Sequence, residues 1–312
     1  AALNYFTGSK DHNVALRQIA ISKGYKLNEY GLFRGSKRMA GETEAGLYEF
    51  LGLKYIEPEI REMKGEIEAA RQDKLPQLMD YGDLKGDLQV QTTWSDGKQA
   101  IEEMARAAMA SGLAYMAVTD HTKRLAMTGG LDAKRIVKQM EEIDKINEKF
   151  KMESLKFKIL KGTECDILKD GGLDLPDDIL SQLDVVGVSV HSHFNLPKKE
   201  QTERVKKAME NPHADIWFHP TARIINRRPA IEVDMEELIK TAKKTGMVME
   251  VDGYYDRLDL NDDYVRQCVQ EGVKLAIDSD AHSISHFSML EYGIAQARRG
   301  WATKKDIINA WP

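Results

Sequence analysis

Cysteine is scarce. Cys165 and Cys268 are the two in 312 residues, and they lie too far apart for a zinc or Cys-x-x-Cys redox spacing. Two reduced thiols in a cytoplasmic chain are the expectation. Long apolar runs are missing as well. None reaches the roughly 20 residues a membrane span needs, and no basic-then-apolar leader opens the chain. A membrane partner is therefore not expected. Excess positive charge is absent too. The 45 Lys and Arg against 50 Asp and Glu leave a net charge of −5, so any contact with DNA must come from local basic patches. Neither internal repeats nor low-complexity tracts occur. The chain opens at Ala1 already dense with structural signals, which suggests a piece of something longer.

What is present reads as two units. Residues 1–60 give a compact α+β pattern: a helix over Asp11–Lys23, a strand over Tyr25–Phe33 and a short helix over Ala45–Leu51. Residues 61–82, charged and holding Pro76, suit a connector. From 83 to 312, strand and helix patterns alternate. Helices are expected over Lys98–Ala110 (capped by Ser95 or Asp96), Leu131–Phe150, Glu200–Glu210, Met235–Thr245, Asp262–Glu271 and Met289–Arg299. About seven strand–helix units over some 225 residues predict a parallel sheet closed into a TIM-like (β/α)7 barrel.

The strands carry the functional signal. Tyr115–Thr119 runs into Asp120 and His121, Phe157–Thr163 into Glu164, and Asp184–Val190 into His191. Asp215–Phe218 runs into His219, Met247–Val251 into Asp252, and Lys274–Ser279 into Asp280 and His282. The chain has only eight histidines, and four stand directly past strands. Such side chains repeated at the carboxyl ends of parallel strands are how a barrel assembles a metal centre. The first strand, Asp87–Gln91, departs from the pattern with Gln89 and Gln91. His12 and His213 are expected in solvent, whereas His193 and His286 lie near the rim without strand placement.

Gly86-Asp-Leu-Gln-Val-Gln-Thr-Thr-Trp-Ser-Asp-Gly97 resembles the first motif of the PHP (polymerase and histidinol phosphatase) domain, in which His-x-His precedes Ser-Asp-Gly. Thr119-Asp-His121, Gly162-Thr-Glu-Cys-Asp166, Ser189-Val-His191, His219-Pro220 and Ser279-Asp-Ala-His282 resemble the later motifs in order. The resemblance implies a distorted PHP barrel with up to three divalent ions, Mn²⁺, Zn²⁺ or Fe²⁺. Glu164, His191 and His282 would hold one, and Asp96, His121 and His219 a second. Gln89, Gln91, Glu164 and Asp280 would surround the third. A neutral amide oxygen is a poor substitute for imidazole, so fewer than three ions and impaired hydrolysis are expected. Glu164, His191 and Asp280 are the expected catalytic residues. Arg223, Arg227 and Arg228, just beyond His219-Pro-Thr, suit phosphate binding. Glu250-Val-Asp252 matches a further family position, with Asp252 facing the metals or Glu250 paired inside the barrel.

The amino-terminal unit resembles the thumb-like subdomain of family X DNA polymerases. Tyr5-Phe-Thr-Gly-Ser9, Asn28-Glu-Tyr-Gly-Leu-Phe33 and Tyr55-Ile-Glu-Pro-Glu-Ile-Arg61 carry the likeness. It implies DNA contact through Tyr5, Phe6, Gly8, Asn13 and Arg17, with the aromatics suited to stacking. A thumb followed by a PHP barrel is the order in bacterial family X polymerases. That likeness implies a 3′–5′ exonuclease on gapped or 3′-ended DNA, with the polymerase-active subdomain upstream and no polymerisation by this chain. Three other readings are a non-catalytic barrel that binds DNA or supports a polymerase, a small-molecule phosphatase of histidinol-phosphatase type, and an amidohydrolase-type barrel. The Ser-Val-His, His-Pro and Asp-Ala-His series fits the last least well.

Overall fold

The computed structural model describes residues 1–311. Two compact units divide the chain, Ala1–Gln77 and a second from Leu78 onward. In the first, helices Ala2–Thr7, Lys10–Ser22, Glu44–Leu51 and Glu66–Arg71 accompany an antiparallel sheet of β1 (Lys26–Asn28), β2 (Gly31–Arg34) and β3 (Lys37–Ala40). The expected single strand Tyr25–Phe33 is a hairpin. Asn28 Oδ1 accepts from the backbone N–H groups of Tyr30 and Gly31, at 3.0 and 3.2 Å, and so turns the chain. Residues 61–77 pack into this unit rather than running free. Glu66, at the start of its helix, binds His12 Nδ1 at 2.6 Å, and Ile67 and Ala70 are buried.

That contact also corrects the reading of His12, which is fully buried between Glu66 and the Tyr48 hydroxyl. Arg61 is equally enclosed. It donates to the carbonyl of Ile56, to Thr7 Oγ1 and to Glu44 Oε1, tying three segments together.

The second unit is a seven-stranded parallel barrel. Its strands are β4 (Gly86–Val90), β5 (Tyr115–Val118), β6 (Lys158–Asp166), β7 (Val185–Ser189), β8 (Ile216–Trp217), β9 (Val248–Asp252) and β10 (Leu275–Asp278), paired in chain order. Helices between them cover the outside. Met249 and Val251 of β9 and Leu275 and Ile277 of β10 join the main core, whereas Glu250, Asp252 and Asp278 alternate to the inside. Leu88, Ala117, Val185, Ile216, Phe218 and Ala276 form a second, smaller apolar cluster from the strands. Gly187 must stay bare, because a Cβ there would stand 1.8 Å from the Phe218 ring.

First and last strands meet at a seam. Val90 bridges Ala281 in parallel, Gln91 N–H donates to the Ala281 carbonyl, and Ala281 N–H donates to that of Gln89. Below, Leu88 N–H donates to Asp278 Oδ1, and the Asn309 amide donates to the carbonyls of Gly86 and Ile277. The helix after β4 spans Ile101–Ala110 and has Ala100 at its cap position. Ser95 and Asp96 therefore do not cap it. They belong to a preceding loop, where Gly97 packs so closely that a Cβ would lie 2.5 Å from the Gln91 carbonyl.

Candidate metal centre

Glu164, at the end of β6, is fully buried and is the hub of the barrel mouth. Three imidazoles surround it: His219 Nε2 at 2.7 Å, His191 Nε2 at 3.1 Å and His121 Nδ1 at 3.3 Å. Ser189 Oγ and Gln91 Nε2 donate to its two oxygens at 2.7 and 2.8 Å. Burial alone would push Glu164 up, but the charges of His121, His191 and His219 outweigh it and hold the carboxyl well below its usual range.

Neighbouring groups set each imidazole. Asp166, one strand position beyond Cys165, lies 3.0 Å from His191 Nδ1 and so turns Nε2 toward Glu164. Burial lowers His191, yet Glu164 and Asp166 raise it further, to about 9. Burial and the positive charge of Arg257 carry His219 the other way, to about 4, against the pull of Glu164. His219 and Asp280 both hold positive φ, 30° and 48°, a backbone region non-glycine residues rarely occupy outside constrained sites.

A second group lies further out. Asp96 Oδ1 is 3.7 Å from His121 Nε2 and 3.6 Å from His282 Nε2. The expected grouping of ligands therefore changes. Asp96, His121 and His282 converge in one set and His121, Glu164 and His191 in another, with His219 beside Glu164. His282 Nε2 lies beside Asp96 rather than beside Glu164 and His191, because the loop after β4 that carries Asp96 and the segment after β10 that carries His282 adjoin at the seam. Exposure grades across the site, from 0% for the Glu164 side chain to 33% for that of Asp96, so the outer set faces the opening.

Asp120 is not a ligand but a clamp. It accepts from Thr92 N–H and Oγ1, Ser95 N–H and Oγ, and Gln139 Nε2, at 2.5 to 3.1 Å. These bonds fix the loop that presents Asp96.

The donor set is suited to divalent cations at these two positions. Mixed imidazole–carboxylate clusters are their usual ligands. His219 Nδ1 is buried without a hydrogen-bond partner, and His121 Nδ1 meets Glu164 only as a 3.3 Å ion pair, so neither imidazole is fully satisfied by protein. The third position does not fit. Gln89 and Gln91 are fully buried, neither atom of the Gln89 amide has a partner, and Gln91 aims its N–H at Glu164.

The three arginines expected to bind phosphate divide. Arg223 donates to the carbonyls of Arg257 and Leu258, and Arg228 donates to that of Ala222 while its guanidinium lies 4.0 Å from the Phe194 ring centroid. Both are committed to holding loops. Arg227 keeps a 73% exposed side chain, 3.8 Å from Asp256. Arg257 went unforeseen: its Nε lies 3.4 Å from Asp252 and 3.5 Å from Asp280. Asp252 therefore faces this guanidinium, and Glu250 accepts from His219 N–H. Of the other histidines, His286 accepts from His282 N–H through Nδ1 at 3.2 Å.

In the first unit, Tyr5 and Phe6 stand on the helix Ala2–Thr7. Phe6 is 77% exposed. Arg17 lies 5.5 Å from the Tyr5 ring centroid, and Asn13 Nδ2 donates to the carbonyls of Tyr5 and Gly8 at 3.0 and 3.4 Å. Among the described residues no helix is long and apolar enough to cross a membrane, and both cysteines are buried and free.

Residues 2–62 match the family described as DNA polymerase beta thumb, and residues 87–251 match the PHP domain. The chain is 42% identical over 310 residues to the "DNA polymerase/3'-5' exonuclease PolX" of Bacillus subtilis (strain 168), covering 99% of this chain and 53% of that protein. It thus spans about half the length of this relative. A "probable phosphatase" of Acetivibrio thermocellus is 29% identical over 190 residues, 58% of this chain and 72% of the relative. Among solved structures, the histidinol phosphate phosphatase of Lactococcus lactis, complexed with zinc, L-histidinol and phosphate, superposes with a TM-score of 0.51 at 15% identity. The match covers 69% of this chain and 93% of that one, and the likeness is one of fold.

Proposed function

Because the chain belongs to the PHP domain family and its first residues match a polymerase beta thumb, we propose that it is the C-terminal part of a bacterial family X DNA polymerase. Its barrel would act as a metal-dependent phosphoesterase, removing nucleotides from DNA 3′ ends. The observation that carries this reading is Glu164 buried among His121, His191 and His219. One divalent ion would be held by Asp96, His121 and His282, and another by Glu164, His191 and His219. Bound ions of this kind lower the pKa of a coordinated water and neutralise phosphoryl oxygens.

The protein's own groups do the rest. Asp166 fixes the tautomer of His191, and Asp120 holds the Asp96 loop in place. Arg227, 73% exposed beside Asp256, would be a guanidinium available to a phosphate. Gln91 gives Glu164 a hydrogen bond where the family motif has an imidazole, so hydrolysis is expected to be slow. Phe6, Tyr5 and Arg17, with Gly8 and Asn13, would supply a stacking and cationic surface for DNA.

The test is a labelled single-stranded oligonucleotide with Mn²⁺, run beside p-nitrophenyl phosphate. Nucleotide release lost on Glu164→Ala supports the reading. Monoester hydrolysis without DNA cleavage would assign the chain to the phosphatases its relatives are named for. Silence on both substrates, even after Gln89→His and Gln91→His, would leave a non-catalytic barrel.

A further inference from the structure

We infer that Arg257 is a built-in cation standing where the third ion of the cluster would act, so that this barrel holds two ions and one guanidinium. The claim rests on the metal-centre reading above. Two observations share Asp280. The third position, as the family resemblance places it, needs Gln89, Gln91, Glu164 and Asp280. Here the two glutamines offer neutral amides, and Gln91 directs a donor rather than an acceptor at Glu164. Meanwhile the remaining carboxylate is already matched by charge. Arg257 Nε stands 3.5 Å from Asp280 Oδ2 and 3.4 Å from Asp252 Oδ2, with its own side chain only 17% exposed.

Charge balance explains why a cation is needed there. Glu250, Asp252, Asp278 and Asp280 crowd the ends of β9 and β10, all buried. Uncompensated buried carboxylates are costly, and each loses its charge unless a partner is near. A guanidinium stays protonated throughout the accessible pH range and cannot dissociate into solvent as an ion can. Its Nη1 is buried with no hydrogen-bond partner, which leaves a donor over for an anionic oxygen.

Metal stoichiometry decides the matter. Equilibrium dialysis against excess Mn²⁺, followed by elemental analysis, would compare the wild-type chain with Q89H/Q91H and Q89H/Q91H/R257M. Two ions per chain are expected in the first two and three in the last. A third ion on Q89H/Q91H with Arg257 intact would overturn the proposal, as would a triple variant that stays at two. Thermal unfolding in metal-free buffer gives a second readout. R257M should lower the midpoint by several degrees, and adding Asp252→Asn should restore part of the loss. An R257M chain as stable as wild type would refute the charge-balancing role. Absence of bound ions in every variant would instead remove the metal-centre reading, leaving Arg257 to be judged by unfolding alone.

Discussion

Gln91 Nε2 donates a hydrogen bond to Glu164 Oε2 at 2.8 Å. A ligand carboxylate is thus partly satisfied by protein at a position where an imidazole would face a metal. Gln91→His removes this donor and adds a nitrogen ligand. Combined with Gln89→His and Arg257→Met, which frees the third position, the expected outcome is faster Mn²⁺-dependent nucleotide release, by about tenfold or more if the restored ion stabilises the transition state by at least about 1.4 kcal/mol. Steady-state rates on a 3′-labelled oligonucleotide check it, and no gain would count against the lost-ligand explanation.

Asp166 aims His191 through a 3.0 Å contact with Nδ1. Asp166→Ala should leave the ligand set intact while weakening ion binding by about 10–100-fold, the usual effect of losing such a supporting carboxylate. A competing chelator titrated against the loaded chain would report the change. Unaltered affinity would mean that His191 keeps its orientation by packing alone.

Asp87 lies at the seam, buried, and accepts from Ser279. Burial raises it to about 7, with the Ser279 hydrogen bonds opposing and Asp280 adding. The folded chain therefore keeps a proton that the unfolded chain has already lost. Stability is greatest below the unfolded value and falls as pH rises from about 4 to about 7, by at most about 1.4 kcal/mol per pH unit for this group. Asp87→Asn should flatten that slope in urea unfolding of the metal-free protein. A slope unchanged by the substitution would locate the proton elsewhere.

Arg61 joins Ile56, Thr7 and Glu44 from a fully buried position. Removing it leaves carbonyl and carboxylate groups without their donor, so Arg61→Ala should destabilise the first unit by about 3–5 kcal/mol. Arg61→Lys should recover little, since one ammonium cannot reproduce the fork. Chemical denaturation followed by far-ultraviolet circular dichroism measures both.

Phe6 is exposed and beside Tyr5, with ring centroids 5.1 Å apart. Phe6→Ala should change stability by less than about 0.5 kcal/mol, as surface substitutions commonly do. The affinity for single-stranded DNA should fall by about 1–3 kcal/mol if a base stacks there. Fluorescence anisotropy with a short labelled oligonucleotide separates the two effects.

Much of the barrel was legible because parallel strands covered on both faces read as short apolar runs, and the rim begins where each run stops. That rule locates Glu164, His191 and His219 without coordinates. It does not say which imidazole meets which carboxylate. His282 joins Asp96 only because the seam brings β4 and β10 side by side. Arg257 escaped notice since it sits on a loop past β9, where no periodicity marks it. His12 was misjudged as solvated because Glu66, its partner, is 54 residues away. Arg223 and Arg228 look like anion binders in sequence, but nothing local discloses the backbone carbonyls they serve.

The seam has a temporal implication. Asn309 joins Gly86 across 223 residues. At translation speeds of about 5–20 residues per second, Gly86 waits roughly 10–45 seconds before Asn309 exists, while β5 covers only the other edge of its strand. During that interval the seam edge of the strand is bare, and unpaired edges make incompletely folded chains prone to aggregate.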